Sequence, residues 1–357
     1  MKVSILGDNL VSLSLAKTLI NEGIYVDLIY FKHFKSISTN RTIGIAKSNI
    51  DFFNKDILDV SKLIWNINNI KISLEKFKKE TIIDFSDDKE QLFSILKNHK
   101  LYELLNKSLK KNKFFKKKKF TNKLKILDKN ELVINCDSFN PFTKKFFYKK
   151  INKNYQGVSF VTIIKHKKVQ QNEIAYQTFT KFGPIAFLPI SKNETSIVYS
   201  VKKKHNLNDE NIKDLIRKYN PRFSIIKIGK IENFDLRSTN LRVYYYKNIL
   251  AFGDLLHKIH PLAGQGFNMT IRDIKQLKKI IKQRLSLGLE INNSICFDFE
   301  RKIKHKNFLF SSGIDFVYEF FNLERNIKSK RLGHLIKFFA KNKYLINFFN
   351  KVANHGI

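Results

Sequence analysis

The chain has 357 residues, of which 43% are hydrophobic and 13% aromatic, so it can fold around a substantial core. This composition excludes a disordered tail. The formal net charge of +36 indicates an acidic partner, such as nucleic acid or an anionic membrane surface. Lys, Ile, Asn, Phe and Tyr share A/T-rich codons and are all abundant, so genome composition is an alternative source of the lysines.

The two cysteines, Cys136 and Cys296, lie far apart with no CxxC and no His/Cys cluster, so no disulfide framework and no zinc site is indicated. This fits a reducing cytoplasm. Residues 1–20 are apolar, but Asp8 and Asn9 interrupt the run and no A-x-A follows, which argues against a signal peptide. No stretch reaches ~18 uninterrupted apolar residues, so we expect no membrane-spanning segment.

The N-terminal part of the chain has an α/β pattern. The stretches "KVSIL", "GDN" and "IYVDLIY", with a helical pattern between the last two, predict a β-α-β unit over residues 2–30. Residues 41–65 are predicted helical after a short strand or turn at "RTIGIAKSN", and a second helix is predicted over residues 90–112. The lysine run "KKNKFFKKKKF" is interpreted as a solvated face, and a strand region ends in "ELVINCD".

The pattern changes between residues 157 and 245, where short alternating strands predict an antiparallel sheet. After residue 249 the α/β character returns with "ILAFGD", and the last stretch, from about residue 285, is helical. The predicted domains are therefore 1–156 with 246–300, the sheet domain 157–245 joined by part of 66–90, and a helical C-terminal region 301–357.

The turn after the first strand is a candidate dinucleotide site. Backbone N–H groups at a strand-turn-helix junction favour a pyrophosphate, and the usual pattern there is G-x-G-x-x-G. This chain has Gly7, Asn9 and Ser12 in that register, where Asn tolerates a left-handed backbone and Ser is small. Tyr30 replaces the acidic residue expected at the end of the second strand. Alone, this signal also fits an α/β unit without a ligand.

A second glycine-containing turn gives a stronger signal. After a buried strand ending at Gly253 and Asp254, Pro261 fixes the chain direction, and the small residues from Ala263 to Gly266 leave the backbone open to a flat ligand. A helix with an apolar stripe follows, so its first N–H groups would face something electron-rich.

This stretch resembles the GD motif of class A flavoprotein aromatic monooxygenases, and most closely the branch that hydroxylates the ring of ubiquinone precursors. That pattern reads G-(D/N)-A-A-H, then H-P-x-x-G-Q-G-x-N, then R-D. The residues that match it in register are Gly253, Asp254, His257, His260, Pro261, Gly264, Gln265, Gly266, Asn268, Arg272 and Asp273.

The resemblance extends over nearly the whole chain. "RTIGIAKSN" is similar to the family's R-t-x-A-L-S-x-x-S segment, with Arg41 and Ser48 matching. "LVINCDSFNPFTK" lies at the A-D-G-x-x-S motif and keeps Asp137, although Ser138 and Pro141 replace its glycine and serine. A family strand pair over the substrate pocket is matched by Phe179, Gly183, Pro184, Ala186, Leu188 and Pro189.

The resemblance implies an α/β fold: an FAD-binding Rossmann-like, p-hydroxybenzoate hydroxylase-like domain with an inserted antiparallel substrate sheet and a helical C-terminus. It implies that NAD(P)H, bound only transiently as a co-substrate, reduces FAD. O2 then adds to the flavin as a C4a-hydroperoxide, whose distal oxygen is transferred to the ring of a polyprenylated phenol in ubiquinone biosynthesis. The implied FAD-binding residues are Gly7, Asn9, Ser12, Arg41, Asp137, Gly253, Asp254, Pro261, Gly264, Gln265, Gly266 and Asn268. No catalytic acid or base is identifiable, and a packing role is favoured for His257 and His260.

The expected setting is the cytoplasm, at the inner face of a membrane, with other ubiquinone-biosynthesis proteins as partners and no specific nucleic acid. The basic, aromatic C-terminal segment 331–357 fits an amphipathic helix at an anionic interface or a helix packed on protein, with equal weight. The departures at Asn9, Ser12, Tyr30 and Ser138 leave a flavin-poor scaffold of a quinone-biosynthesis complex as an alternative. A flavin hydroxylase of a soluble aromatic acid is a separate alternative, against which the match to the ubiquinone branch and the apolar C-terminal segment argue.

Overall fold

The computed structural model describes residues 1–31, 38–75, 81–86, 91–121, 131–259 and 265–326. We number the strands and helices of these residues in chain order. The strands are β1 Lys2–Leu6, β2 Tyr25–Tyr30, β3 Thr42–Ala46, β4 Trp65–Ile67, β5 Asn69–Leu74, β6 Thr81–Ser86, β7 Phe93–Lys97, β8 Phe115–Lys119, β9 Val133–Asn135, β10 Lys150–His166, β11 Ile174–Phe179, β12 Pro184–Pro189, β13 Glu194–Lys202, β14 Ile225–Ile228, β15 Glu232–Leu241, β16 Tyr245–Tyr246, β17 Ile249–Ala251 and β18 His257–Lys258. The α-helices are α1 Leu10–Asn21, α2 Lys47–Asp56, α3 Asn98–Lys110, α4 Pro141–Phe146, α5 Asp209–Tyr219, α6 Gln265–Ser286 and α7 Ser294–Asn326.

The first sheet is mostly parallel and forms the centre of the molecule. Its strand order is β16–β17–β9–β1–β2–β8, and only the edge strand β16 runs antiparallel to its neighbour. The central strands β1, β9 and β17 are apolar runs buried along almost their whole length, as expected for a sheet covered on both faces. Helices α1, α3 and α6 contribute to the core around it. The predicted β-α-β unit is therefore present at residues 2–30.

The second sheet is mainly antiparallel and has nine strands. Its order is β18–β15–β10–β13–β12–β11–β5–β6, with β14 also paired to β10, and β5 lies parallel to β11. Helix α5 packs its apolar face, including Ile212 and Ile216, on one side of this sheet. The strands β5 and β6, from 69–86, extend a sheet whose other strands come from later in the chain.

A third, three-stranded sheet, ordered β3–β7–β4, corrects two helix predictions. The helix predicted over 90–112 is a strand, β7, followed by the helix α3, and the predicted helix of 41–65 is shorter than expected because α2 ends at Asp56. The apolar stretch at Phe93–Lys97 pairs with strands on both sides, β3 and β4. Short apolar runs do not distinguish a buried strand from a buried helix, so this pairing decides the outcome.

The lysine run is also more structured than predicted. Residues Phe115–Lys119 form β8, the edge strand beside β2, and Lys118 and Lys2 both contact Asp27, at 2.8 and 3.0 Å. Lysines on an edge strand oppose pairing with another chain. Within the described part of the chain, no helix is long and apolar enough to cross a membrane.

Candidate cofactor site

The first turn of the β-α-β unit lies at the carboxyl edge of the parallel sheet. Gly7 has φ +112, which favours glycine, and a Cβ there would lie 3.1 Å from Cβ of Asp137. The Gly7 amide donates to the Ile29 carbonyl at 2.8 Å. The turn after β1 is therefore packed directly against the residue that follows β9.

Asn9 and Ser12 cap helix α1 with each other. The Ser12 amide donates to Asn9 Oδ1 at 3.0 Å, and the Asn9 amide donates to Ser12 Oγ at 2.9 Å. Asn9 has φ −142, so it is extended and does not adopt the left-handed conformation considered from the sequence. Its Nδ2 donates to the Cys136 carbonyl at 2.8 Å. The two side chains accept hydrogen bonds from the amides of Asn9 and Ser12 at the helix start. They do not cap the amides of Leu10 and Val11.

Asp8 is a charged group in this turn that the sequence interpretation treated only as a break in an apolar run. Its carboxylate is buried and accepts hydrogen bonds from Tyr102 Oη at 2.8 Å and from Lys117 Nζ at 2.7 Å. Burial, together with the bond to Asp8, raises the pKa of Tyr102 above its ordinary value. Lys117 Nζ also lies 5.7 Å from the ring centre of Tyr30, the residue that replaces the expected acid.

Three carboxyl ends of neighbouring parallel strands bring further predicted residues together. Asp137 follows β9, and Gly253 and Asp254 follow β17, on the same edge as Gly7. Asp137 Oδ1 accepts the Phe139 amide at 2.8 Å, and Asp254 is exposed. Burial, with the nearby Asp137 and Asp254 carboxylates, raises the pKa of the Cys136 thiol. The thiolate form of Cys136 is therefore disfavoured.

Gly253 joins this edge to helix α1. It has φ +62, and a Cβ there would lie 2.7 Å from Cγ1 of Val11. Both the backbone conformation and the close approach require glycine. The predicted glycine after β17 thus sets how closely its 3₁₀ turn, Gly253–Leu255, approaches the first turn of α1.

The second predicted turn leads into helix α6, which begins at Gln265. His260, Pro261 and Gly264 lie outside the described residues, and for Gln265 the structure describes only the helix position. A Cβ on Gly266 would meet Ile259 Cγ1 at 3.9 Å, an ordinary contact. Packing within the described residues therefore does not require glycine at position 266.

Asn268 fastens the start of α6 to another part of the chain. Its Oδ1 accepts the Ala46 amide at 2.8 Å and Nδ2 of Asn49 at 2.9 Å, and its Nδ2 donates to the Gly44 carbonyl at 2.8 Å. The side chain is buried. These contacts give Asn268 a positioning role between β3, α2 and α6.

His257, for which a packing role is expected, is buried against Asp273 of α6. Its Nε2 lies 2.5 Å from Asp273 Oδ2, both side chains are buried, and Asn307 Nδ2 donates to Asp273 Oδ1 at 3.1 Å. The two residues of the matched R-D pair therefore have different contacts. Asp273 binds His257, whereas the Arg272 guanidinium carbon lies 4.2 Å from the Phe310 ring centre. Burial lowers the pKa of Arg272 to about 10. Asn307, on α7, was not identifiable from the sequence.

Arg41 precedes β3 and lies against the second sheet. It is exposed, with its guanidinium carbon 5.1 Å from the Phe234 ring centre of β15. Next to it, Thr42 Oγ1 and Ser196 Oγ are 2.8 Å apart. The start of β3 therefore lies against β13 of the second sheet.

The remaining matches are ordered local structures. Ser48 lies in the first turn of α2, and Pro141, which replaces the family's serine, begins α4 behind the cap Asn140. The predicted strand pair is the hairpin of β11 and β12, where Phe179 is opposite Pro184.

Within the described ranges, no group of three or more His, Cys, Asp or Glu residues could hold a metal ion. Cys136 and Cys296 are buried and unpaired.

The fold is that of class A FAD-dependent monooxygenases of the p-hydroxybenzoate hydroxylase type. The structure of p-nitrophenol 4-monooxygenase PnpA of Pseudomonas putida has a TM-score of 0.77 with 12% identity, over 99% of this chain and 98% of that chain. HpxO of Klebsiella pneumoniae, complexed with FAD and uric acid, has a TM-score of 0.74 with 12% identity, over 99% and 96%. The predicted fold class is confirmed.

In sequence, the chain is similar to ubiquinone-biosynthesis hydroxylases. It is 26% identical over 199 residues to 3-demethoxyubiquinol 3-hydroxylase of Escherichia coli, covering 54% of this chain and 51% of that protein. It is 24% identical over 205 residues to mitochondrial ubiquinone biosynthesis monooxygenase COQ6 of Danio rerio, covering 46% and 42%. The matches thus span about half the length of these relatives. No family model matches the chain. The predicted resemblance is confirmed.

Proposed function

We propose that this protein is an FAD-dependent monooxygenase that hydroxylates the aromatic ring of a polyprenylated phenol in ubiquinone biosynthesis. The observation that carries the proposal is the meeting of Gly7, Asp137 and Gly253–Asp254 at one edge of the parallel sheet, in the fold of FAD-dependent monooxygenases. The named relatives support the pathway and the substrate class. NAD(P)H is proposed as the transient reductant and O2 as the second substrate.

The described residues fit FAD, with a changed pyrophosphate end. At the flavin end, Asp254 is an exposed carboxylate for the ribityl hydroxyls, and α6 begins at glutamine and glycine, so its first amides can face the electron-rich edge of the ring. At the pyrophosphate end, Gly7 keeps its special conformation, but the capping side chains of Asn9 and Ser12 take two amides. Lys117 supplies a positive charge beside Asp8 and Tyr30.

Bound FAD supplies the chemistry, which is O2 activation and transfer of one oxygen atom to the phenol. The chain orients the ring and excludes water, because water in such a site diverts the oxygen to H2O2. Asn268 and the His257–Asp273 pair position α6 and β18 around the proposed flavin. We propose that residues 157–245, with strands from 66–90, form the substrate domain over it.

A flavin-poor scaffold is the second candidate, and one observation favours it. The cap between Asn9 and Ser12, with the buried Asp8 carboxylate behind it, makes the pyrophosphate end less receptive to an anion than the family's glycine pattern. Both candidates place the protein at the inner face of a membrane, in contact with other quinone-biosynthesis proteins.

The absorbance spectrum of the purified protein distinguishes the two candidates. We expect bands near ~370 and ~450 nm, before or after incubation with FAD. Asp254→Asn should bind FAD about tenfold more weakly, because a charged hydrogen bond to the ribityl chain is lost. Asp51→Asn is the control, since Asp51 is an exposed carboxylate on α2 that contacts Lys47.

A protein that stays colourless with excess FAD, and that still restores quinone synthesis in cells lacking the gene, would establish the scaffold instead. If flavin binds, product analysis in those cells reports which ring is hydroxylated. Accumulation of a soluble aromatic acid, with no polyprenylated phenol, would exclude the proposed substrate.

A further inference from the structure

A large groove lies beside the edge strand β16. It is bounded by α7 on one side and by β15, β16 and the start of β10 on the other, with a volume of about 760 Å³. We call it the α7 groove. Among the described residues, none of those proposed to bind FAD lines it.

The floor and walls of the α7 groove are apolar and partly open to solvent. They include Ile151, Leu241, Tyr245, Phe297 and Phe308. Phe297 is 53% exposed, Phe308 49% and Ile151 42%. Exposed aromatic and aliphatic side chains that share one groove are typical of a surface that binds another apolar group.

Helix α7 presents its aromatic and cationic side chains to the groove in one stripe. Phe297, Arg301, Lys304 and Phe308 follow one another at spacings of about one helical turn, so they share one face. Arg301 lies 5.9 Å from the ring centre of Phe297, and Lys304 lies 6.0 Å from that of Tyr244. Each charged group therefore lies over the face of an aromatic ring.

The charge of the rim is predominantly positive. Arg242, Arg301 and Lys304 line the groove, against one acidic residue among the described lining residues, Glu300. Glu300 already accepts a hydrogen bond from Lys304 at 2.7 Å. An occupant that complements this arrangement carries a negative charge next to an apolar chain.

Apolar side chains continue beyond the groove on both sides. Val243 and Tyr246 are exposed near β16, and Leu309 and Phe316 are exposed further along α7. Nucleic acid would stack on the rings, but it would gain little from Ile151, Val243 and Leu309. Aromatic rings with Lys and Arg beside aliphatic side chains are the composition that favours a lipid-water interface.

We propose that the α7 groove binds anionic phospholipid, with its cations on the phosphate and its apolar floor on an acyl chain, and so docks the protein on a membrane surface. The inference rests on the proposed function, because a polyprenylated phenol resides in the membrane and an enzyme that acts on it must reach that surface. Its test does not depend on flavin or on turnover.

The test is co-sedimentation of the full chain with vesicles of phosphatidylcholine alone or with one quarter phosphatidylglycerol, at about 0.15 M salt. We expect binding to be at least about tenfold stronger with phosphatidylglycerol. Arg301→Glu with Lys304→Glu, and separately Phe297→Ser with Phe308→Ser, should each reduce that binding about tenfold or more. The controls are Lys213→Glu with Arg217→Glu on α5, and Ile226→Ser on β14, which lie outside the groove.

A second measurement covers the case in which a double variant fails to fold. Phe308→Trp keeps an aromatic side chain in the groove, and its fluorescence should be quenched by brominated phosphatidylglycerol. Leu287→Trp, at an exposed position outside the groove, should not be quenched.

Three results would overturn the inference: no vesicle binding by the unchanged chain, equal binding by the groove variants, or no quenching at Phe308→Trp. Equal binding would place the membrane contact elsewhere, with residues 331–357 the first segment to test. Absence of vesicle binding would leave an acidic protein as the occupant. In either case an unchanged flavin spectrum would leave the proposed function intact.

Discussion

Asn9 occupies the position at which the family pattern has its second glycine. Its side chain caps α1 and ties the turn to the Cys136 carbonyl. We predict that Asn9→Gly binds FAD several-fold more tightly, because glycine frees the Ser12 amide and lets a pyrophosphate approach the backbone. Replacing an N-cap by glycine costs only a few tenths of a kcal/mol, so unfolding should change little. Flavin fluorescence titration and thermal unfolding measure the two quantities.

Asn9→Ala is the matched comparison, because it removes the cap but keeps a Cβ. It should lower the free energy of unfolding by about 1 kcal/mol and give a smaller gain in affinity than glycine. Weaker FAD binding by Asn9→Gly would contradict this prediction, and would mean that the Asn9 side chain itself contacts the cofactor.

Single positions differ in how far the sequence predicts them. Gly253 and Asp137 follow buried strands in a recognisable spacing, so their place at the carboxyl edge was predictable. Asp8 is different: its partners Tyr102 and Lys117 come from α3 and β8, distant in the chain. Nothing in the spacing of these residues predicts their contact, since it depends on how α3 packs on α1.

Helix α6 is held in place by one buried cation as well as by its apolar face. Lys278 Nζ lies 2.7 Å from Glu22 Oε1, at the end of α1, and 2.6 Å from Asp56 Oδ1, the last residue of α2. The side chain of Lys278 is 10% exposed. Burial alone would lower the pKa of Lys278 and raise that of Glu22, but their hydrogen bonds reverse both directions.

We predict that Lys278→Met lowers the free energy of unfolding by roughly 1–3 kcal/mol, because Asp56 loses this cation and Glu22 keeps the more exposed Lys282, at 3.3 Å. The exposed neighbour Lys279→Met should change it by less than about 0.5 kcal/mol. Urea unfolding measures both.

The stability lost in Lys278→Met should decrease as the pH is lowered. The pKa of Glu22 is held below its ordinary 4.5, so its contribution is full above that pH and is lost as the pH falls through the folded-state pKa. The difference between Lys278→Met and the unchanged chain should therefore shrink in acid. A difference independent of pH from 7 to 3 would mean that lost packing of the lysine stem causes the effect.

Whole helices and strands were predictable where the apolar residues of a segment follow one repeat, every second residue in a strand or about every 3.6 residues in a helix. The alternating strands of 157–245 and the stripe of α6 were both apparent in the sequence. The strand β7 was not, because it contains one short apolar run and is fixed by β3 and β4 on its two sides. Elements whose conformation depends on distant partners are those that single-sequence patterns miss.

The whole molecule has 67 Lys and Arg residues against 31 Asp and Glu residues. Most of its positive charges therefore have no acidic residue with which to pair. Ion pairs such as those around Asp27 use a small share of the lysines. Like charges repel in the compact state, and salt screens that repulsion. We predict that raising NaCl from low concentration to about 0.5 M raises the melting temperature by a few degrees.

Sodium chloride is the salt to use, because sulfate stabilises folded proteins by exclusion from their surface. Lys278→Met should show the same rise, since its charge lies in a local pair. A melting temperature that falls with salt would show that paired charges, not net repulsion, dominate stability.

The position of β9 in the first sheet has a consequence for biosynthesis. β9 lies between β1 and β17, and it ends at Asn135, whereas β17 begins only at Ile249. As the ribosome extends the chain from one to the other, β9 is an unpaired edge strand of the nascent first sheet, because β16 and β17, which cover that edge, are synthesised later. Strands β10 to β15 of the second sheet are synthesised before that edge is covered, so a chaperone that shields exposed strand edges would be needed most during this interval.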